Sequence, residues 1–317
     1  MNILGFDIGG TKCAVITARV ENDDIEILAR RAIATDHTVS PYEMLDRLFA
    51  MAEDVLAGVK PDRIGFSCGG PLDAARGVVL SPPNLPGWDE VPVTELAEKR
   101  FGVKAHLQND ANACAVAEWR FGAGRGTRNM IFLTFGTGMG AGLILNGALY
   151  DGTNGYAGEV GHMRLAPDGP IGFGKNGSFE GFCSGGGIAR LAEKMAEEAR
   201  ARGITPAYLA DPEGVSAKTV AKAAEAGDET AREVYRVSGE RLGEALSLLI
   251  DILNPERIVI GSIFARSGAL LIPAMQEVIA REALPHAASV CEVVGAVLGE
   301  KIGDYAAVSV ALAESTQ

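Results

Sequence analysis

Two glycine–threonine turns, each set between apolar strands, constrain this chain more than any other feature. The first runs Leu4-Gly5-Phe6-Asp7-Ile8-Gly9-Gly10-Thr11-Lys12 and leads into Cys13-Ala14-Val15-Ile16. The second runs Ile131-Phe132-Leu133-Thr134-Phe135-Gly136-Thr137-Gly138-Met139-Gly140 and leads into Ala141-Gly142-Leu143-Ile144-Leu145. Both read as strand, tight turn, strand. A dinucleotide-binding βαβ unit has a helix after its glycines, so the spaced glycines at 136, 138, 140 and 142 are not that fingerprint. Glycine lets backbone N–H groups come close to a ligand, and successive N–H groups in a turn form an anion-binding concavity. Two such turns, one in each half of the chain, imply a phosphate held between two related domains.

The length of 317 residues suits two domains. A hydrophobic share of 47% against 22% charged is a globular balance. The formal net charge of −12 argues against a broad nucleic-acid surface and fits a cytoplasmic protein. Cys13, Cys68, Cys114, Cys183 and Cys291 are scattered, odd in number and never paired as CxxC, and read as small buried apolar residues in a reducing compartment. A strand begins at Asn2, so no signal peptide is expected, and no apolar run reaches the roughly 18 residues of a membrane span.

Strands are expected at 2–8, 13–19 and 25–33, and a helix at 41–57 from its apolar spacing. Arg63 to Ser67 reads as a short strand ending in the turn Cys68-Gly69-Gly70-Pro71, and Ser81 to Trp88 reads as a loop. Val93–Phe101 reads as a helix, 103–107 as a strand and 109–121 as a helix, which makes an α/β domain. The second hairpin, 130–146, restarts the pattern. Residues 150–187 are glycine-rich and irregular, as functional loops in compact domains tend to be. Helices are expected near 187–202, 216–226, 228–253, 268–282 and 304–315, a strand running into a turn over 257–262, and a strand near 291–294. The expected division is 1–117 with 303–317 against 118–302, with a hinge near 115–128.

Asp7 stands just before the first turn. A carboxylate beside a phosphate makes sense if a cation lies between them, and Mg²⁺ typically uses one or two carboxylates plus phosphate oxygens; the alternative is an Asp that merely caps the turn. Asn109-Asp110-Ala111-Asn112 lies where a strand gives way to a helix, the end of an α/β sheet at which ligands bind. Helix capping accounts for one polar residue there, whereas three in four suit a catalytic segment in which Asp110 takes a proton from an alcohol. Glu159-Val160-Gly161-His162, with Glu180 downstream, offers the mixed acceptors and donors that a polyhydroxylated ligand needs. Gly169-Pro170-Ile171-Gly172-Phe173-Gly174-Lys175-Asn176 nearly matches a P-loop but has Asn in place of Ser or Thr and no strand before it, so it is set aside.

Taken together, these segments resemble the ROK family of sugar kinases, within the actin-like (ribonuclease H-like) α/β fold of hexokinase-type ATPases, nearly end to end and in order. The resemblance implies two α/β domains with an active-site cleft between them. It implies a first phosphate loop of Asp7, Gly9, Gly10, Thr11 and Lys12, with Asp7 reaching Mg²⁺ through the phosphates, and a second of Thr137 and Gly138. Asp110 resembles the family's catalytic base. Gly70, Asn84, Asn109, Asp110, Glu159, His162 and Glu180 would bind sugar, and Gly261, after the strand Ile258-Val259-Ile260, would lie on the adenosine side. The implied activity is transfer of the γ-phosphate of ATP to a hexose hydroxyl, O6 first, with glucose ahead of fructose, mannose, allose and N-acetylhexosamines. A cytoplasmic homodimer, without nucleic-acid or membrane partners, goes with that reading. The alternatives are a sugar-responsive regulator, for which a helix-turn-helix ahead of Asn2 is expected to be lacking, and a non-catalytic sugar-binding protein.

Many members of the family follow Glu-x-Gly-His with Cys-x-Cys-Gly-x-x-Gly-Cys-x-Glu, whose cysteines bind zinc with the His. Here that stretch reads Ile171-Gly172-Phe173-Gly174-Lys175-Asn176-Gly177-Ser178-Phe179-Glu180. Ile and Phe cannot ligate a metal and one His cannot build a four-ligand site, so no structural zinc is expected. Ile171, Phe173, Phe179 and Phe182 are expected to pack as an apolar substitute, each burial contributing about 1.5–3 kcal/mol. Elemental analysis of the purified protein is expected to find no stoichiometric zinc; one zinc per chain would contradict this.

Overall fold

The computed structural model describes residues 1–22 and 24–312. Contacts divide the chain into two units, one of residues 1–126, 142–157 and 298–317 and the other of residues 127–141 and 158–297.

The first sheet contains β1 (Asn2–Ile8), β2 (Lys12–Glu21), β3 (Asp24–Ala34) and, beyond helix α1 (Pro41–Leu56), β4 (Arg63–Cys68). Two short strands, β5 (Leu72–Asp73) and β6 (Val78–Val79), and helix α2 (Val93–Phe101) lead to β7 (Ala105–Asn109) and helix α3 (Asp110–Phe121). The order is β3-β2-β1-β4-β7, with β1 central, antiparallel to β2 and parallel to β4. Isoleucines, leucines and phenylalanines bury both faces of β1, as a central strand requires. Phe6 stacks on Phe66 with ring centres 4.6 Å apart, above a core completed by Met44, Leu45, Leu48 and Phe49 of α1. Helix α1 starts where Ser40 accepts the Glu43 N–H and Pro41 fills its first turn.

The second sheet repeats that order with β8 (Met130–Leu133), β9 (Ala141–Leu145), β10 (Ala148–Tyr150) and, later, β13 (Arg257–Ile260) and β14 (Glu292–Gly295), arranged β10-β9-β8-β13-β14. Between β10 and β13 come a one-turn 3₁₀ segment (Val160–His162), the hairpin β11 (Ile171–Gly172) and β12 (Lys175–Asn176), and helices α4 (Phe179–Phe182), α5 (Gly185–Ala201), α6 (Ala217–Glu225) and α7 (Glu229–Leu253). Helices α8 (Ile263–Glu282) and α9 (Pro285–Ala288) flank β14, and α10 (Ile302–Ala311) closes the chain. Ser184, Ser216 and Asp228 cap α5, α6 and α7 through their side chains, and Ser216 forms a reciprocal box with Thr219.

Several boundaries differ from the sequence expectation. Helix α8 begins at Ile263 rather than 268, although Ser267 breaks its helical geometry, because Phe264 and Ile263 are already buried. By length and composition α8 is also apolar enough to cross a membrane, a window that the sequence reading passes over. It buries Leu271, Met275 and Val278, and Gly239 and Gly243 of α7 admit its Leu271 and Met275 carbonyls at 2.6 and 2.7 Å from where a Cβ would stand, so it is a packed helix of the second unit. Helix α10 spans Ile302–Ala311, and positions 313–315 of the expected helix lie outside the described residues. The contact grouping keeps 118–126 and 142–157 with the first unit, because α3 runs on to Phe121 and Gly142 rests against Ala111 and Ala115.

Helix α10 packs on the first sheet through small residues. A Cβ on Gly65 would stand 2.2 Å from the Ala307 carbonyl oxygen and 2.6 Å from the Ala311 nitrogen, and one on Gly5 would stand 3.1 Å from Ala307 Cβ. These neighbours are backbone atoms, which cannot step aside as a side chain can. Gly65→Ala is therefore expected to cost about 3 kcal/mol, the upper end of the overpacking range, read as a lowered midpoint in urea; an unchanged midpoint would contradict this packing.

Candidate active site

In the first unit the parallel register lines up three strand ends. Asp7 pairs with Ser67, Ser67 with Gln108, and Cys68 with Asn109. The turns that follow β1, β4 and β7 therefore emerge side by side, at the sheet edge where α/β folds place ligands.

The first turn is held open from below. Gly9 N–H donates to the Lys12 carbonyl at 3.1 Å, Thr35 Oγ1 donates to the Gly9 carbonyl at 2.6 Å, and a ring nitrogen of His37 lies 2.8 Å from the Gly10 carbonyl. The Thr35 N–H donates to Thr11 at 3.0 Å. Thr11 and Lys12 are exposed. Asn84, from the loop after β6, crosses Gly10 so closely that a Cβ there would stand 2.5 Å from its carbonyl oxygen. Glycine at position 10 is thus a packing requirement that joins the phosphate turn to the loop of Asn84.

Asn109 and Asp110 open α3. Asn109 Oδ1 accepts the N–H groups of Ala111 at 3.0 Å and Asn112 at 3.4 Å, so the capping role falls to Asn109. Asp110 Oδ1 takes a further bond from Ala111 N at 2.8 Å, while Oδ2 faces Gly69, 3.9 Å from where its Cβ would be. Gly70 lies against Asn109, with 3.3 Å between a would-be Cβ and Nδ2. The Gly70–Pro71 bond is cis. Asp110 is open to solvent, yet protein crowds it on its other sides, and that crowding pushes its carboxyl above the usual range.

Asp7 is raised to about 6, first by burial and then by the charges of Asp110 and Asp304, with Arg30 and Lys12 opposing. Asp304, in the first turn of α10, pairs with Arg30 of β3 at 2.7 Å. Gly303 faces Asp7, whose Oδ2 lies 2.9 Å from where a Cβ would stand. This arrangement fits a Mg²⁺ bridging Asp7 and a phosphate. The carboxylate feels repulsion from Asp110 and Asp304 that Arg30 and Lys12 only partly offset, its oxygens are hard donors, and no three His, Cys, Asp or Glu side chains gather to hold a metal among the described residues. The remaining ligands would therefore be phosphate oxygens and water.

In the second unit the matching turn carries no charge. Thr134 pairs with Gly140, its N–H donating to that carbonyl and its Oγ1 accepting that N–H, both at 3.0 Å. Gly136 N–H donates to the Gly138 carbonyl at 3.0 Å, and Thr137 projects into solvent. Two residues beside this turn take strained positive φ angles, Phe135 at 36° and Ser262 at 52°. The Ile263 N–H donates to the Phe135 carbonyl at 3.1 Å, which ties the turn to the start of α8. Gly261 closes the strand before it, its N–H donating to the Leu133 carbonyl at 2.9 Å.

Beside the turn lies a cavity of about 550 Å³. Its lining includes Gly136 and Thr137 together with the first residues of three helices: Gly185 and Gly186 of α5, Ala217 of α6 after its cap Ser216, and Ile263 of α8 after Ser262. The helix dipoles make each of these starts attractive to an anion, with the Gly185 N–H already donating to the Gly136 carbonyl at 2.8 Å and the Ile263 N–H to the Phe135 carbonyl at 3.1 Å. Lys218, Lys222 and Arg266 line it together with Glu225, the two lysines being paired with Glu213 and Asp211 at 2.8 and 3.3 Å, and Tyr235 fixes α6 by donating its hydroxyl to the Ala217 carbonyl at 2.8 Å. The cavity has the size and chemistry for a nucleotide.

The Glu-x-Gly-His segment forms the 3₁₀ turn. Glu159 is exposed and His162 half-buried. Glu180, grouped with the sugar residues by sequence, also serves the phosphate turn: its Oε2 accepts the Met139 N–H at 3.1 Å and lies 2.9 Å from a would-be Cβ of Gly138. The expected cluster of Ile171, Phe173, Phe179 and Phe182 is corrected. Phe179 and Phe182 are buried, but Ile171 and Phe173 are 49% and 70% exposed because they sit on a hairpin that stands out from the core. Hydrogen bonds hold the loop instead. The Gly177 carbonyl accepts both Leu165 and Ala166 N–H at 2.9 and 3.1 Å, Arg164 donates to the Asn176 carbonyl at 2.6 Å, and Ser178 Oγ donates to the Gly172 carbonyl at 3.4 Å.

Sequence reasoning passes over Thr35 and His37, which brace the first turn, Arg30 and Asp304 beside Asp7, and the cavity residues Ser216, Lys218, Lys222 and Arg266. Only the cap Ser216-x-x-Thr219 carries a local signal. The chain is similar to known proteins along most of its length. The glucokinase of Streptomyces coelicolor is 32% identical over 304 residues, 95% of this chain and 94% of its own. The xylose repressor of Caldicellulosiruptor bescii is 27% identical over 88% of this chain and 70% of its own. Among solved structures, a ROK family glucokinase from Streptomyces griseus in complex with glucose and AMPPNP superposes with a TM-score of 0.77 at 30% identity, covering 98% and 99% of the two chains. The duplicated sheet order is thus that of the actin-like α/β fold. The ROK family model matches residues 3–314, and the chain, carrying both glycine turns and the Asn109-Asp110 segment in that frame, belongs to the ROK family.

Proposed function

We propose that the protein transfers the γ-phosphate of ATP to a hexose, with Asp110 as general base. The observation that carries this reading is the juxtaposition in the first unit of Asp110, Asn109, the Gly69–Gly70 turn and the Asp7 phosphate turn on adjoining strand ends. The glucokinases of Streptomyces coelicolor and Streptomyces griseus support glucose as the first substrate to test, with fructose, mannose, allose and N-acetylhexosamines next. The reacting hydroxyl is taken as O6. A cytoplasmic homodimer is part of the same proposal.

Asp110 accepts the proton of the sugar hydroxyl through its free Oδ2 as that oxygen attacks phosphorus, while Oδ1 stays bonded to the start of α3 and fixes the carboxylate's orientation. Gly70, Asn84 and Asn109 contribute sugar contacts from the first unit; Glu159, His162 and Glu180 contribute them from the second. Gly9, Gly10, Thr11 and Lys12 receive the reacting phosphate, and Thr137 and Gly138 the remaining ones, with adenosine in the cavity beside Gly261 and Ser262. Mg²⁺ held through Asp7 would offset the phosphate charge as the transition state forms.

Asp110→Asn is expected to lower kcat at least about a hundredfold, the range of general-base catalysis, while calorimetry finds hexose binding within a few-fold of wild type. Near-normal turnover in that variant would remove Asp110 as the base. The pH profile carries a second outcome. Because burial raises the Asp110 carboxyl, the protonated and inactive form persists to higher pH than for a free aspartate. The acid limb of kcat/KM is therefore expected to lie above about pH 4, the ordinary carboxylate value; a limb at or below it would contradict the assignment.

A further inference from the structure

His162 is gripped by the hairpin that follows it. Strands β11 and β12 pair Ile171 with Asn176 and Gly172 with Lys175, which leaves a two-residue turn of Phe173 and Gly174. Both have positive φ, 42° and 74°, as a type I′ turn demands. That turn favours Asn or Gly at its first position, and a bulky aromatic is rarely found there. Burial does not explain the choice, since Phe173 is 70% exposed and lies outside the core. The ring does make one aromatic contact: it meets the His162 imidazole edge to face, with centres 5.2 Å apart and planes at 78°. The same hairpin holds the His162 backbone, because Lys175 Nζ donates to the His162 carbonyl at 2.6 Å. Arg164 and Ser178 then fix the hairpin through the carbonyls of Asn176 and Gly172. Among the described residues neither imidazole nitrogen has a hydrogen-bond partner, so the clamp orients the ring and leaves both nitrogens to a ligand.

We infer that Phe173 is a positioning residue that sets the His162 ring for a polyhydroxylated substrate. The inference rests on the kinase reading, in which His162 contacts the sugar. Its effect falls on substrate binding, since neither residue lies with the Asp110 carboxylate in the first unit.

The test compares Phe173→Gly, Phe173→Leu and Phe173→Tyr in the full-length protein. Glycine accepts the positive φ without strain, so it removes the ring while relieving the backbone. Phe173→Gly is expected to raise the hexose KM five- to tenfold with kcat and the ATP KM unchanged and the thermal midpoint equal or higher. Phe173→Tyr, which keeps the ring, is expected to hold KM within twofold. NMR supplies a readout that needs no turnover. The His162 ring protons, assigned with His162→Gln, are expected to carry an aromatic ring-current shift in the wild type that Phe173→Leu abolishes. An unchanged KM in Phe173→Gly, a joint fall of kcat and thermal midpoint, or identical His162 signals in wild type and Phe173→Leu would each overturn the inference. If the wild type turns over no hexose but shows the ring-current shift, the kinase reading fails while the contact stands, and the positioning role for a sugar falls with that reading.

Discussion

The charge of Asp7, crowded by Asp110 and Asp304, is the constraint on which the proposed phosphate chemistry depends. The chain has a net charge of −12, and Asp7 already feels Asp110 and Asp304. Coulomb repulsion at such distances grows as the surroundings lose water, so each negative group needs a counterpart. The fold supplies three kinds. Backbone N–H groups come from the glycine turns and from the starts of α5, α6 and α8, and carry no side chain to shift or mis-order. Cations come from Lys12 and from Arg30 through its pair with Asp304, and Arg266 lines the cavity of the second unit. The third, in the reading proposed above, would be a divalent cation held through Asp7.

The duplicated sheet makes this supply asymmetric. The same β-hairpin opens each half, yet the residue before the turn is Asp7 in one and Thr134 in the other. Thr134 closes its turn with Gly140 and leaves nothing charged, whereas Asp7 is a largely buried carboxylate that feels the charge of Asp110, two strands away across β4. The repeated frame thus carries an acidic residue before its turn in the first unit and a neutral one in the second. Glu180 shows how closely neighbouring functions are built, since a residue of the Glu-x-Gly-His region braces the second turn through the Met139 N–H.

Much of this was legible in the sequence because its signals are local. The strands around Asp7 and Thr134 show as apolar runs broken by glycine, and Asn109-Asp110 shows as more polar residues than a helix cap uses. The contacts that complete the site are not local. Thr35 and His37 reach the first turn only because β3 pairs with β2, and Asp304 reaches Arg30 across 274 residues of chain. The cavity collects residues from helix starts far apart in sequence. Phe173 misleads for another reason: an aromatic residue predicts burial, while a two-residue hairpin lifts this one into solvent. The run of α8 that could pass for a membrane span is apolar because α7 covers it, a fact that composition does not carry.

The central claim is that a hexose is the acceptor and ATP the donor. The most direct measurement is ADP release by the purified protein with Mg²⁺ and ATP across a panel of hexoses and N-acetylhexosamines, with the product identified by phosphorus and proton NMR. The account predicts sugar-dependent ADP release matched one to one by a sugar 6-phosphate, with glucose among the best substrates. ADP release independent of sugar, or none with any member of the panel, would contradict it.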